Sequence, residues 1–390
     1  MNIFTKLYGS FALRFLKDTV VYNYDRDCSK KIGRALLYFK TDVLFFPQLA
    51  EAYSHSNNWE VSQKIKILNR LGFVVDVIDR RVNISKLKLE DKYDLFIGIG
   101  AGDSGRYYPE IASSVPGAIK IFYACGPEPD FSDRITRERY DYFYSRNPNR
   151  KVKLRRTINE VNINRAMELT DVIFCIGNEF GLNSYSKFNK DIYRIYPSTS
   201  PKIKTDISQL KNRSPQKFLY FGGNGNIVKG LDLVIETFAQ LPDLELYICA
   251  PTGEADFNTV YQETLKEAKN IHFIGFIEVG GETFDRVTAD CAYTIFPSAS
   301  EGTPDSVATV LRKGLIPVVT RAAGIDVGDF GYLIKDISIK GLKNQARELS
   351  TKNDIAKRSF KTYLESFKYT QKGFSESFET ALIKTLEKKL

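Results

Sequence analysis

Glu301 sits in a loop of the run SASEGTPDSVATVLRKGLIPVV (residues 298–319), between an apolar strand at 292–296 and a short helix. Asp305 is a natural cap for that helix, and Gly314 a natural stop before the next strand. The spacing places one acid above a parallel sheet and Thr309, not a second acid, on the face below it. A second chemistry-bearing stretch is YFGGNGNIVKGLD, Tyr220 to Asp232. A strand, the glycine-rich Gly222-Gly223-Asn224-Gly225-Asn226 turn and Lys229-Gly230 entering a helix suit phosphate: backbone N–H groups and the helix N-terminus face the anion, and Lys229 adds a cation. The Lys-Gly order excludes a Walker loop. GAGDSG (Gly100, Gly102, Gly105) matches the dinucleotide fingerprint but follows the third expected strand, and Pro109 and Pro116 break up the helix it should open. With two histidines, His55 and His272, neither beside a cysteine in sequence, no metal site is expected.

The chain that must position these loops has 390 residues, enough for two domains. Short apolar segments alternate with amphipathic ones, the pattern of βαβ units around parallel sheets. Strands are expected near 34–39, 73–78, 94–99, 119–123, 172–176 and 192–196, then near 217–221, 244–249, 271–276, 292–296 and 316–320. Helices open the gaps of the second series near Lys229, Asn258, Gly281 and Asp305. Between the series, PSTSPKIKTDISQLKNRSPQ (197–216) reads as a linker. Two doubly wound α/β domains then face each other across a cleft: 1–200, completed by the C-terminal helix 368–390, and 215–345, with helices over 346–390. Ligands of such sheets bind at the carboxyl ends of the strands.

Residues 1–21 lack the continuous apolar core of a signal peptide and read as an amphipathic helix packed on its own domain. No run reaches about 18 apolar residues, so no membrane span is expected. Five cysteines without a C-x-x-C pair fit free thiols in a reducing cytosol. The net charge of +9 is concentrated at 134–156, where nine Lys or Arg are interleaved with Tyr140, Tyr142, Phe143 and Tyr144. A solvated helical surface is one reading of it; an anionic acceptor or membrane headgroups is another. Nucleic acid is not expected, because no nucleic-acid module accompanies the stretch.

Taken together, Lys229-Gly230 and PSASEGTPDSVATVLRKGLIPVV resemble the retaining glycosyltransferases of the GT-B fold, the large family-4 group. Pro297, Ser298, Glu301, Gly302, Gly314, Pro317 and Val318 stand in register, and Ala322 to Gly324 supply the next family loop. The resemblance covers the second domain and is architectural in the first. It implies Glu301 and Lys229 as catalytic, with Glu301 on the donor sugar's hydroxyls and Lys229 on the donor diphosphate. Gly223, Asn224, Gly225, Asn226, Gly302, Thr303, Pro304, Asp305, Ser306 and Thr309 would line the donor site. On the acceptor side it implies His55, Asn57, Gly126, Glu128 and Asn178. Asn224 stands where the family has arginine, so the diphosphate would rest on Lys229, backbone amides and a basic residue from elsewhere. Thr309 stands where the family has a second glutamate, which implies looser nucleotide recognition.

The expectation is therefore a cytoplasmic, peripherally membrane-associated hexosyltransferase, retaining and metal-independent, with a nucleotide-sugar donor and a saccharide or lipid-linked acceptor in surface glycan synthesis. No cofactor is expected. A nicotinamide oxidoreductase using GAGDSG is the alternative from another enzyme class; a non-catalytic nucleotide-sugar-binding module is the third. A 2-epimerase would want more histidines and acids for proton transfer. Trp59 and His272 read as packed, structural side chains.

Overall fold

The computed structural model describes residues 20–24, 31–45, 56–89, 92–100, 105–157 and 161–389. His55, Cys28 and Gly102 lie outside them.

Two sheets organise the chain. The first holds β1 (Val20–Tyr24), β2 (Gly33–Phe39), β3 (Phe73–Asp79), β4 (Leu95–Ile99), β5 (Ile119–Ala124), β6 (Val172–Ile176) and β7 (Asp191–Ile195), in the order β1-β3-β2-β4-β5-β6-β7. The second holds β8 (Ser214–Phe221), β9 (Glu245–Cys249), β10 (Ile271–Phe273), β11 (Cys291–Phe296), β12 (Ile316–Val319) and β13 (Tyr332–Leu333), in the order β10-β9-β8-β11-β12-β13. Every pairing is parallel except that of β1 with β3. Strands such as Val172–Ile176 and Cys291–Phe296 are buried throughout. That is why they read as unbroken apolar runs: helices cover both faces of a parallel sheet.

Strand order reverses between β2 and β4 in the first sheet and between β8 and β11 in the second. Such switch points part the flanking loops and open a crevice at the carboxyl ends of the strands. Both loops that carry the candidate chemistry of the second sheet, after β8 and after β11, flank its switch point.

Six helices position the site: α1 (Ser56–Arg70), α2 (Pro129–Arg146), α3 (Leu231–Phe238), α4 (Ala255–Glu267), α5 (Asp305–Leu311) and α6 (Gln371–Lys389). The C-terminal α6 returns to the first sheet, where Phe374, Phe378, Ala381 and Leu382 pack with Leu37, Val75 and Phe174. Trp59 of α1 packs edge-on against Phe374, 5.8 Å between ring centroids. Helix α2 makes the opposite crossing. Although it lies between β5 and β6 in sequence, its Tyr140 and Phe143, with Val152 beyond it, are buried in the second core beside Phe218, Leu231 and Phe296.

Several expectations need correction. Val20 and Val21 are not helical; they begin β1, an edge strand that β-branched residues suit. The second series is longer than expected by β13, and β8 starts inside the linker, at Ser214. The linker is tethered: Glu60 Oε1 accepts from Ser198 N at 2.8 Å and Oγ at 3.0 Å, and Thr199 N donates to Tyr369 O at 2.8 Å. Pro109 does not break the helix after GAGDSG. It sits in the first turn of the helix Tyr108–Ser114, where no N–H is needed.

Candidate active site

The loop after β8 and the loop after β11 are stitched together through their backbones. Val228 O accepts from Ala299 N at 2.8 Å, and Glu301 N is held in turn by Ala322 O of the loop after β12, at 2.9 Å. This fixes Lys229 and Glu301 side by side: Lys229 Nζ lies 3.7 Å from Glu301 Oε1. Glu301 is 9% exposed, and Lys229 is as deeply placed. Burial pulls the Lys229 ammonium below its usual range, while the neighbouring Glu301 carboxylate works in the other direction.

The two side chains border a cavity of about 620 Å³ between the carboxyl ends of the two sheets. The second half contributes Gly223, Ser300, Glu301, Gly302, Thr303, Pro304, Asp305, Ser306 and Thr309; the first contributes Ser56, Asn57, Cys125 and Gly126. Size alone does not mark this place, because a cavity of about 680 Å³ lies between β7 and α6, away from both loops. What marks it is the convergence of a buried acid and a buried cation at the switch point. Glycine lets the halves approach here: a Cβ on Gly302 would stand 2.3 Å from Cys125 O. Cys125 is exposed to the cavity, and the protein crowded around it pushes its thiol up to about 11.

Residues 215–352 match a family model described as "Glycosyl transferases group 1". The matched segment is about a third of the chain. It contains the second sheet and both site loops. Solved structures extend the likeness to the whole chain and give it the GT-B fold. Anabaena HepE in complex with UDP and glucose aligns at a TM-score of 0.57 and 12% identity, over 91% of this chain and 100% of that one. A sucrose-phosphate synthase from Thermosynechococcus elongatus aligns at 0.58 and 10%, over 90% and 98%. WaaG, a glycosyltransferase involved in lipopolysaccharide biosynthesis, aligns at 0.53 and 12%, over 88% and 98%. No curated protein sequence matches the chain.

Within the matched segment, the glycine loop departs from its expected use. Gly225 N and Asn226 N do not face the cavity; both donate to Glu254 Oε1, at 2.5 and 3.2 Å. Glu254 belongs to the loop after β9, next to β8 in the sheet, and is itself buried. A strand-order neighbour thus supplies the carboxylate that satisfies this turn, which no local pattern announces. Asn224 is exposed and outside the cavity, and Asn226 is buried beneath the loop. Gly223 alone of the glycine stretch borders the cavity.

Asp305 does not cap α5. Pro304 holds the cap position, and Asp305 turns across the cleft, where Ser56 Oγ donates to its Oδ2. Burial, and then the nearby Glu60 carboxylate, push the Asp305 carboxyl up to about 7.

On the acceptor side, Asn57 and Gly126 border the cavity. Glu128 and Asn178 do not; each is a helix cap. Glu128 accepts from Phe131 N at 2.8 Å, and Asn178 accepts from Phe180 N at 3.1 Å while donating to Arg321 O at 2.9 Å across the two halves. Short polar caps in βα loops are the general reason such residues collect above a sheet.

The basic stretch is for the most part the solvated surface expected, with Arg134, Arg137, Arg150, Lys151, Lys153 and Arg156 exposed, but three of its cations turn inward. Arg139 and Arg146 close on the fully buried Asp232, at 3.7 and 2.5 Å, and Arg155 grips Asp256 Oδ1 at 2.6 Å. Reading the sequence alone missed Arg156, whose Nη2 lies 3.2 Å from Glu301 Oε1. Its signal was present in that stretch, but nothing local says the chain turns there into the cleft. Among the described residues no helix is long and apolar enough to cross a membrane.

Proposed function

We propose that this chain moves a hexosyl unit, with retention, from a nucleotide sugar to a saccharide or lipid-linked acceptor in the synthesis of a surface glycan. The observation that carries the reading is the pairing of Lys229 with Glu301 at the switch point of the second sheet, in the segment matched to group 1 glycosyl transferases, open to a cavity that both halves line.

In this reading Lys229 stabilises the charge that develops on the departing diphosphate, a task for a preformed cation in a partly dry site. Glu301 accepts hydrogen bonds from donor-sugar hydroxyls beside the anomeric carbon. The bond from the anomeric carbon to the diphosphate oxygen breaks, and the acceptor oxygen bonds to that carbon on the same face. The acceptor's proton passes to the leaving diphosphate. No metal is assigned a part. Retention rests on the resemblance of the Glu301 and Lys229 segments to the family, and the glycan assignment on the likeness in fold to WaaG, a glycosyltransferase involved in lipopolysaccharide biosynthesis. Arg139, Arg146 and Arg155 are committed to acids of the second half, so an anionic membrane surface would have to be met by the exposed Arg134, Arg137, Arg150, Lys151 and Lys153.

The test is thermal-shift binding of the purified chain to UDP, GDP, CDP and dTDP, with NAD and NADP alongside. Stabilisation by one nucleoside diphosphate, lost in Lys229→Ala, is the expected result. Stabilisation by NAD alone would replace the reading with the oxidoreductase one.

A further inference from the structure

The loop that ought to cradle a diphosphate has little left to offer it. Gly225 N and Asn226 N are held by the Glu254 carboxylate, and Asn224, exposed and outside the cavity, presents no charge. One buried ammonium, Lys229, is left facing a leaving group of two or three negative charges. A second cation is nonetheless aimed at the same spot. Arg156 borders the cavity and approaches the same Glu301 oxygen as Lys229, at 3.2 Å.

Its placement is built. Arg156 has φ 68°, a left-handed backbone that non-glycine residues seldom adopt. Its side-chain stem lies across Gly225, where a Cβ would come within 2.9 Å of Arg156 Cγ; Gly225, at φ 97°, makes room for it. The adjacent Arg155 is clamped to Asp256 through two hydrogen bonds of 2.9 and 2.6 Å, and its backbone N accepts no slack, donating to Tyr140 Oη at 3.0 Å. Tyr140 is seated in the second core, so the segment is fixed to the second half although it comes from the first half of the sequence.

We propose that Arg156 is the second diphosphate-binding cation of the site, delivered from outside the glycine loop in place of a loop arginine. The inference rests on the nucleotide-sugar reading and names which side chain completes it. Glu301 keeps the two cations together; an arriving diphosphate competes for them and leaves the carboxylate to the sugar hydroxyls. A planar guanidinium can take two phosphate oxygens at once, which an ammonium cannot.

The experiment is isothermal titration of the full chain with UDP and UMP, and with the guanosine, cytidine and thymidine pairs. Wild type, Arg156→Ala, Arg156→Lys and Lys229→Ala are compared, with circular dichroism and melting checked for each. For the nucleotide that binds, Arg156→Ala should lose about 10- to 100-fold in diphosphate affinity, the span of one charged hydrogen-bonded contact. Monophosphate affinity should change little, and Arg156→Lys should fall between. Unchanged diphosphate affinity in Arg156→Ala, with affinity lost in Lys229→Ala, would overturn the assignment and leave the functional reading standing. Equal losses for diphosphate and monophosphate would overturn it as well, since that is the mark of a deformed site. Failure of wild type to bind any of the eight nucleotides would defeat both readings.

Discussion

Asp305 gives the sharpest test of the cleft's electrostatics. Its carboxyl is raised from 3.8 to about 7, chiefly by burial, with Glu60 and Glu301 adding to the shift and Lys229 and the Ser56 hydrogen bond opposing it. Between roughly pH 4 and 7 the folded chain therefore holds a proton that the unfolded chain has released. Stability must fall as pH rises through that window and level off above it. At about 1.4 kcal/mol per tenfold change in proton affinity, the ceiling on this penalty is about 4 kcal/mol. Part of the side chain still meets the cleft, so water screens the charge and about half of the ceiling, roughly 2 kcal/mol, is the working expectation. Asp305→Asn cannot ionise and can still pair with Ser56. Urea unfolding of wild type and variant across pH 4.5 to 8 should show the variant gaining relative stability as pH rises, most of it by pH 7. A gap that does not change with pH, or one that moves in favour of wild type, would show that the carboxyl is ordinary and the argument from burial wrong.

Three further outcomes follow from the geometry. Asp232→Ala removes the acid that Arg139, with 2% of its side chain exposed, faces in the core; stranding that guanidinium should cost about 3–5 kcal/mol, read by chemical denaturation. Gly302→Ala drives a methyl into Cys125 O, so the crossing of the two halves must shift; a loss of about 1–3 kcal/mol in the same assay, with weaker nucleotide binding, is expected. Glu301→Gln keeps the shape of the side chain but not its charge. It should lower transfer, or slow donor hydrolysis, at least tenfold without weakening nucleoside diphosphate binding, since the carboxylate no longer competes for Lys229 and Arg156, as measured by kinetics against titration.

Much of this was legible in the sequence because parallel strands announce themselves. Runs such as VIFCI and CAYTIF are buried on both faces and read as continuous apolar segments, so their positions were expected within a residue. The same holds for Lys229 and Glu301, which follow such strands at family spacing. Contacts set by sheet order were not legible. Nothing in the glycine loop predicts that Glu254, 29 residues on, will occupy its amides, because that depends on β9 lying beside β8. Asp305 looked like a cap, since local preference favours it there, yet Ser56 from the far half claims it. The basic stretch was legible only in part for the same reason: six of its nine cations are exposed as a solvated surface would have them, but Arg139, Arg146 and Arg155 answer Asp232, Glu236, Glu254 and Asp256, acids of a layer that its own sequence position does not suggest.

The crossing of α2 into the second core also sets an order of events on the ribosome. Tyr140, Phe143 and Val152 are made first, while their sheet begins only at Ser214. At about 5–20 residues per second, those apolar side chains wait roughly 3–16 s before the first strand that will cover them exists. A nascent chain in that interval presents a sticky arm, a natural target for holdase chaperones. The converse holds for a fragment started at residue 215: it would carry an open seam where the arm belongs, worth about 1.5–3 kcal/mol for each large side chain missing. The second half of this molecule is thus a fold whose last piece is synthesised before its first.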